Sequence, residues 1–287
     1  MSEFPDMSDA FEIAAPAKTN LWLKVLGKRD DGFHEIDTRM VALSLNDQLR
    51  LKWREDSEVV LRCSDASLPT GEENLCVKAV RALEQKLGKT LAVSIDLKKA
   101  IPSGAGLGGG SSDAAAVLRA LNEMGEFALS DEELAAVGAT IGSDIPFFVY
   151  GQTCDCRGRG EVVEPVKDSV PSLAVMLIKP EFGISAAWAY QRFLESAEYE
   201  DFAYKSQASI VGEMVNHLER PVFEKFPVLG LMKNWLLKQE GVDGALLSGS
   251  GSTMLAVLEE QEAAAPIIQQ IKERYGENCW TYCGHTI

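Results

Sequence analysis

The sequence predicts an α+β fold in two domains, the first over residues 1–165 and the second over residues 166–287. Three observations predict it. The first hundred residues consist mostly of strand patterns, a glycine-rich string then opens a helical segment, and the C-terminal part follows the order β-α-β-β-α-β. This last order is the split βαβ pattern. A chain of 287 residues, of which 46% are apolar, is long enough to bury a core in each domain.

In the first domain, alternation of apolar and polar residues predicts strands, and apolar residues at helical spacing predict helices. The strands are expected at 12–25, 36–45, 48–53, 58–63 and 91–97, and a helix at 74–87. After the glycine-rich string, Ala114, Val117, Leu118 and Leu121 stand at i, i+3, i+4 and i+7, which predicts a second helix. Ser130-Asp131-Glu132-Glu133 has the spacing of a capping box and opens a third.

The end of the first domain carries a tight turn followed by a very apolar run. The turn is Gly142-Ser143-Asp144-Ile145-Pro146, and the run is Phe147-Phe148-Val149-Tyr150. A short continuous apolar run is typical of a buried strand. We therefore expect a strand here, with Asp144 in the turn that precedes it.

The second domain is expected to begin near Val166. Its elements are a strand at 173–178, helices from near 185, at 210–218 and at 229–237, strands at 245–247 and 253–258, a helix at 264–271 and a strand at 278–283. Apart from the inserted helices, this gives the split βαβ order. The two central strands are joined by Ser248-Gly249-Ser250-Gly251-Ser252.

Composition limits the classes of function. The net charge of −15 argues against a general nucleic-acid or anionic-membrane surface. Because there is no basic N-terminal segment before an apolar stretch and no run of 18 apolar residues, we expect a cytoplasmic protein without a membrane span. The six cysteines form no CxxC pair, so free thiols are expected rather than a zinc site.

An anionic ligand would need a local group of cations in so acidic a chain. The candidates are Lys18, Lys24, Lys28, Lys98, Lys99, Arg157 and Arg159.

The most informative segment is Pro102-Ser103-Gly104-Ala105-Gly106-Leu107-Gly108-Gly109-Gly110-Ser111-Ser112, which we call the glycine string. Its five glycines let the backbone turn sharply and approach a ligand closely. The helix that follows presents unpaired N–H groups and the positive end of its dipole. The combination predicts a phosphate-binding loop, and therefore a nucleotide ligand.

Three other interpretations of the glycine string are open to a segment so rich in glycine. A dinucleotide fingerprint needs its glycines directly after a strand and an acidic residue about 20 positions later. Here residues 98–103 separate the strand from the glycines, and a helix, linker and second helix follow. A Walker A loop needs a lysine after the last glycine, where this chain has Ser111. A purely structural turn does not account for so many glycines.

The glycine string resembles the phosphate loop of the GHMP kinases, and four other motifs extend the resemblance over about residues 13–283. They are Ala15-Pro16-Ala17-Lys18-Thr19-Asn20-Leu21, Asp31-Gly32-Phe33-His34-Glu35, Gly142-Ser143-Asp144-Ile145-Pro146-Phe147-Phe148 and Leu247-Ser248-Gly249-Ser250-Gly251-Ser252. The resemblance implies an N-terminal domain like domain 2 of ribosomal protein S5 and a ferredoxin-like C-terminal domain. It also implies an ATP-dependent kinase that uses Mg²⁺, as a monomer or homodimer.

Within that family, the motifs are similar to those of enzymes that phosphorylate a cytidine-diphosphate-linked methylerythritol. The resemblance then implies Asp144 as the catalytic base and Lys18 as its partner, whereas the residues alone favour Asp144 as a turn cap. It implies Phe33 and His34 as readers of the cytosine and Asn20 as a substrate contact. Tyr190, or alternatively Trp188, would supply a second stacking ring. Ser111 or Ser112 would bind the metal ion, and the other residues of the glycine string would bind the phosphates.

Two departures from the family pattern stand in the chain. Ser252 occupies a position where the family usually has proline, and Ala186 one where it often has threonine. The second removes an expected contact to a substrate hydroxyl. The alternatives that remain are another GHMP kinase, of homoserine or mevalonate type, and a GHMP-fold binding protein without catalysis.

Overall fold

The computed structural model describes residues 7–167, 171–197, 200, 202–204 and 206–287. The strands are β1 (Phe11–Lys28), β2 (His34–Trp53), β3 (Val59–Cys63), β4 (Val93–Lys98), β5 (Cys154–Gly158), β6 (Val162–Pro165), β7 (Ala174–Lys179), β8 (Gln207–Ser209), β9 (Gly212–Asn216), β10 (Val242–Leu247), β11 (Met254–Leu258) and β12 (Trp280–His285). The α-helices are α1 (Leu75–Leu87), α2 (Gly109–Met124), α3 (Asp131–Ala139), α4 (Ile145–Tyr150), α5 (Ala186–Phe193), α6 (Glu219–Lys225), α7 (Pro227–Leu236) and α8 (Ala264–Tyr275).

The first sheet has the order β3-β4-β2-β1-β9-β8, and β5 pairs with both β2 and β6. Its centre is the long antiparallel pair β1–β2. The two strands expected at 36–45 and 48–53 are a single strand, because Asn46 and Asp47 continue the ladder opposite Pro16 and Ala15. Helices α1, α2, α3 and α4 pack their apolar sides on this sheet and on one another.

The second sheet has the order β10-β11-β7-β12 and is antiparallel throughout. Helices α5, α6 and α7 lie between β7 and β10 in the chain, and α8 lies between β11 and β12. This confirms the split βαβ order predicted for the C-terminal part. No helix among the described residues is long and apolar enough to cross a membrane.

The helix expected at 210–218 is wrong. Residues 207–216 form the hairpin β8–β9 instead, with a turn through Gly212 at φ +89°. β9 then runs parallel to β1, with Trp22 opposite Val215, so this hairpin extends the first sheet. The apolar residues of this segment are spaced as in a helix. The segment is nevertheless a strand, because β9 pairs with β1, which is distant in the sequence. The domain boundary at residue 165 stays a prediction.

The strand expected at 147–150 is also wrong, because these residues belong to the short helix α4. Pro146 stands in its first turn, where the missing N–H costs no hydrogen bond. The apolar run is continuous because Phe147, Phe148 and Val149 are all buried in the core of the first domain. Short apolar runs do not distinguish a buried helix from a buried strand.

A fully buried ion pair supports the turn that follows β10. Lys233 Nζ donates to Glu219 Oε2 at 2.5 Å, and both side chains are 0% exposed. The other oxygen of Glu219 accepts the N–H of Leu247 at 2.9 Å. Asn216 Nδ2 donates at 2.7 Å to the carbonyl oxygens of Leu247 and Gly249. Together these contacts fix the path of the turn Ser248–Ser252.

Replacing Lys233 with methionine should destabilise the fold, because it leaves the Glu219 carboxylate buried without its partner. We expect the free energy of unfolding to fall by about 3–5 kcal/mol, measured by urea denaturation. Lys238→Met, an exposed lysine two residues beyond the end of α7, is the matched control. Equal unfolding free energies for the two variants would contradict this assignment.

Candidate active site

A cavity of about 1170 Å³ contains most of the residues that the sequence analysis singled out. Those that line it are Lys18, Asn20, Phe33, His34, residues 102–110, Ser111, Asp144 and Tyr190. Ser112 does not line it and is buried behind the loop. The cavity therefore joins β1, the start of β2, the glycine string, the start of α4 and helix α5.

The glycine string ends directly at the start of α2. Gly104, Gly106 and Gly108 have φ values of +61°, +76° and +71°, which favour glycine. Gly108 is the N-cap of α2, and no described side chain caps this end. The first N–H groups of the helix have no intrahelical partners, and no side chain among the described residues caps them. The helix dipole stabilises an anion placed beside them. This is the geometry of a phosphate site.

The glycine string touches the second glycine-rich turn, Ser248–Ser252. A Cβ atom at Gly106 would lie 2.1 Å from the Ser248 carbonyl oxygen, so a side chain there is impossible without moving one turn. Ser248 Oγ also donates to the carbonyl oxygen of Gly106 at 3.1 Å. The sequence identified both motifs but carried no signal that they are in contact.

Lys18 lies between the two turns. Its Nζ donates to Asn20 Oδ1 at 3.0 Å and stands 3.7 Å from Asp144 Oδ2. Its side chain is 6% exposed, while that of Asp144 is 32% exposed. The backbone N–H of Lys18 donates to the carbonyl oxygen of Leu107 at 2.9 Å. The ammonium is therefore held beside a carboxylate that still faces the cavity.

The orientation of Asn20 is set by a residue that the sequence analysis missed. Asn20 Nδ2 donates to Thr38 Oγ1 at 2.7 Å, and Thr38 Oγ1 donates in turn to the carbonyl oxygen of Trp22 at 2.5 Å. This chain turns the amide oxygen of Asn20 towards Lys18. A cross-strand partner such as Thr38 depends on the register of β1 and β2, which no local motif encodes.

Asp144 stands at the N-cap of α4, and its carboxylate makes no capping hydrogen bond to a described backbone N–H. The helix holds Phe148 against the glycine string, where a Cβ at Gly108 would meet the Phe148 ring at 2.8 Å and Lys18 Cγ at 3.0 Å. The short helix thus packs on the glycine string and places Asp144 beside Lys18.

In the same cavity, His34 and Tyr190 stack with ring centroids 5.7 Å apart and planes at 28°. His34 is 8% exposed, and its Nε2 has no hydrogen-bond partner among the described residues. Burial, with a smaller effect from Lys28, lowers the pKa of His34, so its imidazole is neutral at pH 7. Burial, with a contribution from Asp144, raises the pKa of Tyr190. Trp188 lies elsewhere, edge-on to Phe226 at 6.2 Å.

Phe33 is 49% exposed and is not a core residue. The guanidinium of Arg159 lies over its ring, 4.7 Å from the centroid. The sequence offered seven cations as candidates to bind an anionic ligand. Those that line the cavity are Lys18, Lys28, Lys99 and Arg159. Lys24 instead pairs with Glu213.

Lys99 belongs to a buried cluster beneath the start of α2. It forms ion pairs with Asp113, at 2.7 Å, and with Asp47. Asp47 also accepts the N–H groups of Ala100 and Ile101. Burial raises the pKa of Asp113 to about 7, against the opposing effect of Lys99. The cluster joins the end of β4 to α2 and so supports the glycine string from below.

Among the residues that the structure describes, no group of three or more His, Cys, Asp or Glu side chains could hold a metal ion. The hydroxyl of Ser112 is buried and has no partner among the described residues. Ser111 faces the cavity.

Comparison with known proteins shows a likeness over most of the chain. Residues 74–152 match the GHMP kinases N terminal domain, and residues 200–277 match the GHMP kinases C terminal domain. The chain is 36% identical over 266 residues to the 4-diphosphocytidyl-2-C-methyl-D-erythritol kinase of Syntrophotalea carbinolica, covering 91% of this chain and 94% of that relative.

Among solved structures, a 4-(cytidine 5'-diphospho)-2C-methyl-D-erythritol kinase matches with a TM-score of 0.78 at 32% identity, over 96% of this chain and 99% of that one. The homoserine kinase from Cytophaga hutchinsonii shares the fold, with a TM-score of 0.67 at 18% identity over 100% of this chain and 97% of that one. Both domain matches and the identity to these relatives lead to one conclusion: the chain belongs to the GHMP kinase family.

Proposed function

We propose that this protein transfers the γ-phosphate of ATP to the 2-hydroxyl of 4-diphosphocytidyl-2-C-methyl-D-erythritol, giving the 2-phosphate and ADP in isoprenoid precursor biosynthesis. One observation carries the choice of substrate. His34, with a buried and unpartnered Nε2, stacks on Tyr190 in the same cavity as Lys18 and Asp144. The names of the curated and solved relatives support the same substrate.

The triphosphate of ATP fits the glycine string. Positions such as Gly106 and Gly108 leave no room for a Cβ, so the backbone itself forms the wall of the cradle. The uncapped N–H groups at the start of α2 would donate to the phosphate oxygens. Lys18, next to the same wall, would neutralise charge on the transferring group.

Mg²⁺ fits the same place. Mg²⁺ keeps several waters and takes few protein ligands beside substrate phosphates, so a dense carboxylate cluster is not required. The hydroxyl of Ser111, which faces the cavity, would hold it, whereas Ser112 is buried behind the loop. The ion supplies charge neutralisation on the phosphate oxygens.

Asp144 accepts the proton of the substrate hydroxyl. The hydroxyl oxygen bonds to the γ-phosphorus while the bond from that phosphorus to the leaving ADP oxygen breaks. Lys18, at 3.7 Å, helps to hold the carboxylate in place, and Asn20 holds Lys18. Since the transition state of phosphoryl transfer is loose, Asp144 orients the hydroxyl first and takes the proton late.

The cytosine is read at Phe33 and His34, which line the same cavity. A neutral imidazole offers one donor and one acceptor, which suits the edge of a pyrimidine. The exposed ring of Phe33 and the ring of Tyr190 offer stacking surfaces. Homoserine and mevalonate contain no base, so a kinase for either has no use for this arrangement. A binding protein without catalysis has no use for the contact between Lys18 and Asp144. Release of ADP with the cytidine-linked alcohol, and not with homoserine or mevalonate, tests the proposal.

Asp144→Asn should lower kcat by about 10²–10⁴-fold, because the amide cannot accept the hydroxyl proton. ATP affinity, measured by calorimetry, should stay close to that of the wild type. Asp131→Asn, at the exposed start of α3, is the control and should retain kcat. Unchanged turnover in Asp144→Asn would remove this carboxylate from the mechanism.

The KM for the cytidine-linked substrate should depend on the protonation of His34. Because burial lowers the pKa of this imidazole below its usual value of 6.5, the neutral form persists to lower pH than in a free histidine. We expect the KM to rise as the pH falls through the lowered pKa of His34, and so at a lower pH than a free histidine would give, while the KM for ATP follows no such curve.

His34→Ala should raise the substrate KM about 10–100-fold and abolish the acidic rise of that KM. A variant that keeps the pH dependence of the wild type would show that another group reads the base.

A further inference from the structure

Three charged side chains beside the proposed base readers have no part in the proposed function. They are Arg29, directly after β1, Asp31 in the following turn, and Glu35 in β2, and we call this group the Arg29 clamp. Asp31, Phe33 and His34 line the cavity, whereas Arg29 and Glu35 do not. An effect of Arg29 on a bound ligand would therefore pass through the residues that Arg29 holds.

The Arg29 clamp holds both ends of the Phe33 backbone. Arg29 Nε donates to Asp31 Oδ2 at 3.1 Å, and Asp31 Oδ1 accepts the N–H of Phe33 at 3.0 Å. The backbone N–H of Arg29 donates to the carbonyl oxygen of Phe33 at 2.8 Å. The position of Phe33 is thus determined by Arg29, in part directly and in part through Asp31.

The same guanidinium ties the turn to the sheet. Arg29 Nη1 donates to Glu35 Oε2 at 2.6 Å, and Glu35 Oε1 accepts the N–H of Gly158 at 3.1 Å. Gly158 belongs to β5 and lies opposite Ile36 of β2. The Arg29 clamp therefore joins the mobile part of a hairpin, its turn, to two paired strands.

The ring of Phe33 depends on such a support. It is 49% exposed, so core packing does not fix it. Gly32, at φ +86°, makes the tight turn possible but adds conformational freedom. Ordering a free side chain or loop on binding costs free energy, so a ring that is held in place before binding gives higher affinity for a stacked base.

The Arg29 clamp is poorly suited to stabilising the whole domain. The side chains of Arg29, Asp31 and Glu35 are 34%, 45% and 41% exposed. Exposed ion pairs contribute little to the free energy of unfolding. Since the contacts end on Phe33 and on β5, their effect is local to the turn.

We propose that Arg29 is a positioning residue for the base: it fixes the turn that presents the Phe33 ring, and so determines how tightly a cytidine ligand binds. The inference rests on the proposed function, because it takes Phe33 to be the surface on which the cytosine stacks. A guanidinium holds two carboxylates at once through its rigid fork of N–H donors, which a lysine ammonium does not reproduce. Residues that support a binding side chain in this way act without touching the ligand.

The test is a double-variant cycle with Arg29→Met, Phe33→Ala and the two combined. Calorimetry gives the affinity for CDP, steady-state kinetics give kcat and the KM for the cytidine-linked alcohol and for ATP, and urea denaturation gives the free energy of unfolding. Arg29→Met should weaken CDP binding and raise the KM for the cytidine-linked alcohol about 3–10-fold. The kcat, the KM for ATP and the free energy of unfolding should stay unchanged. In Phe33→Ala, the further change Arg29→Met should cause no additional loss of CDP affinity.

Arg81→Met is the matched control, because Arg81 also bridges two carboxylates, Glu72 and Glu84, is 39% exposed and does not line the cavity. It should leave CDP affinity unchanged. Arg29→Lys, which keeps the charge without the fork, should lie between the wild type and Arg29→Met. Unchanged CDP affinity in Arg29→Met would overturn the inference, and so would additive losses in the double variant. A parallel loss of ATP affinity and unfolding free energy would also overturn it, because Arg29 would then support the fold in general.

The same measurements separate this inference from the proposed function. A wild type that binds CDP, loses affinity in Arg29→Met only when Phe33 is present, and does not phosphorylate the cytidine-linked alcohol would support the role of Arg29 and refute the proposed reaction. Normal turnover with unchanged CDP affinity in Arg29→Met would do the reverse. A wild type without affinity for CDP would refute both.

Discussion

The site depends on the close approach of two glycine-rich turns around Lys18. Gly106 meets the carbonyl of Ser248 so closely that no Cβ fits between them, and Gly249 lies beside the Lys18 ammonium. One turn is followed by α2 and the other joins β10 to β11, so the contact fastens the two sheets together at the cavity. Asn20 and Asp144 face the enclosed ammonium group of Lys18. The same enclosure forms the wall against which we propose that phosphates bind.

The supports of this contact lie behind the cavity and are themselves buried and charged. Lys99 with Asp47 and Asp113 holds the helix after the glycine string, while Lys233 with Glu219 holds the strand before the second turn. A buried ion pair contributes little net stability compared with a well-packed apolar core, but breaking one is costly. Each of these buried charged groups therefore fixes the backbone path beside it. A binding site built from backbone N–H groups requires such a fixed path.

The sequence predicted what local pattern encodes. The glycine string, the helix caps and the split βαβ order of the C-terminal part follow from spacing and composition, and the structure has them. Two elements were wrong because tertiary context decides them. The run Phe147–Tyr150 is continuously apolar because it belongs to a short buried helix. Residues 207–216 form strands because β9 pairs with β1. Thr38 and Asn216, which orient the site from a distance, belong to no motif, since their roles arise only from strand register. The roles of Lys18, Phe33, His34, Asp144 and Tyr190 came from family resemblance, and their shared cavity is what supports them.

The central claim is that one cavity holds a cytosine at Phe33 and His34 while an alcohol lies at Asp144. A crystal structure with a non-hydrolysable ATP analogue and the cytidine-linked alcohol tests it most directly. We expect the pyrimidine to stack on Phe33 with its edge on His34, and the 2-hydroxyl oxygen to lie about 2.6–3.2 Å from an Asp144 oxygen. A base bound away from Phe33, or a hydroxyl that does not reach Asp144, would contradict the account.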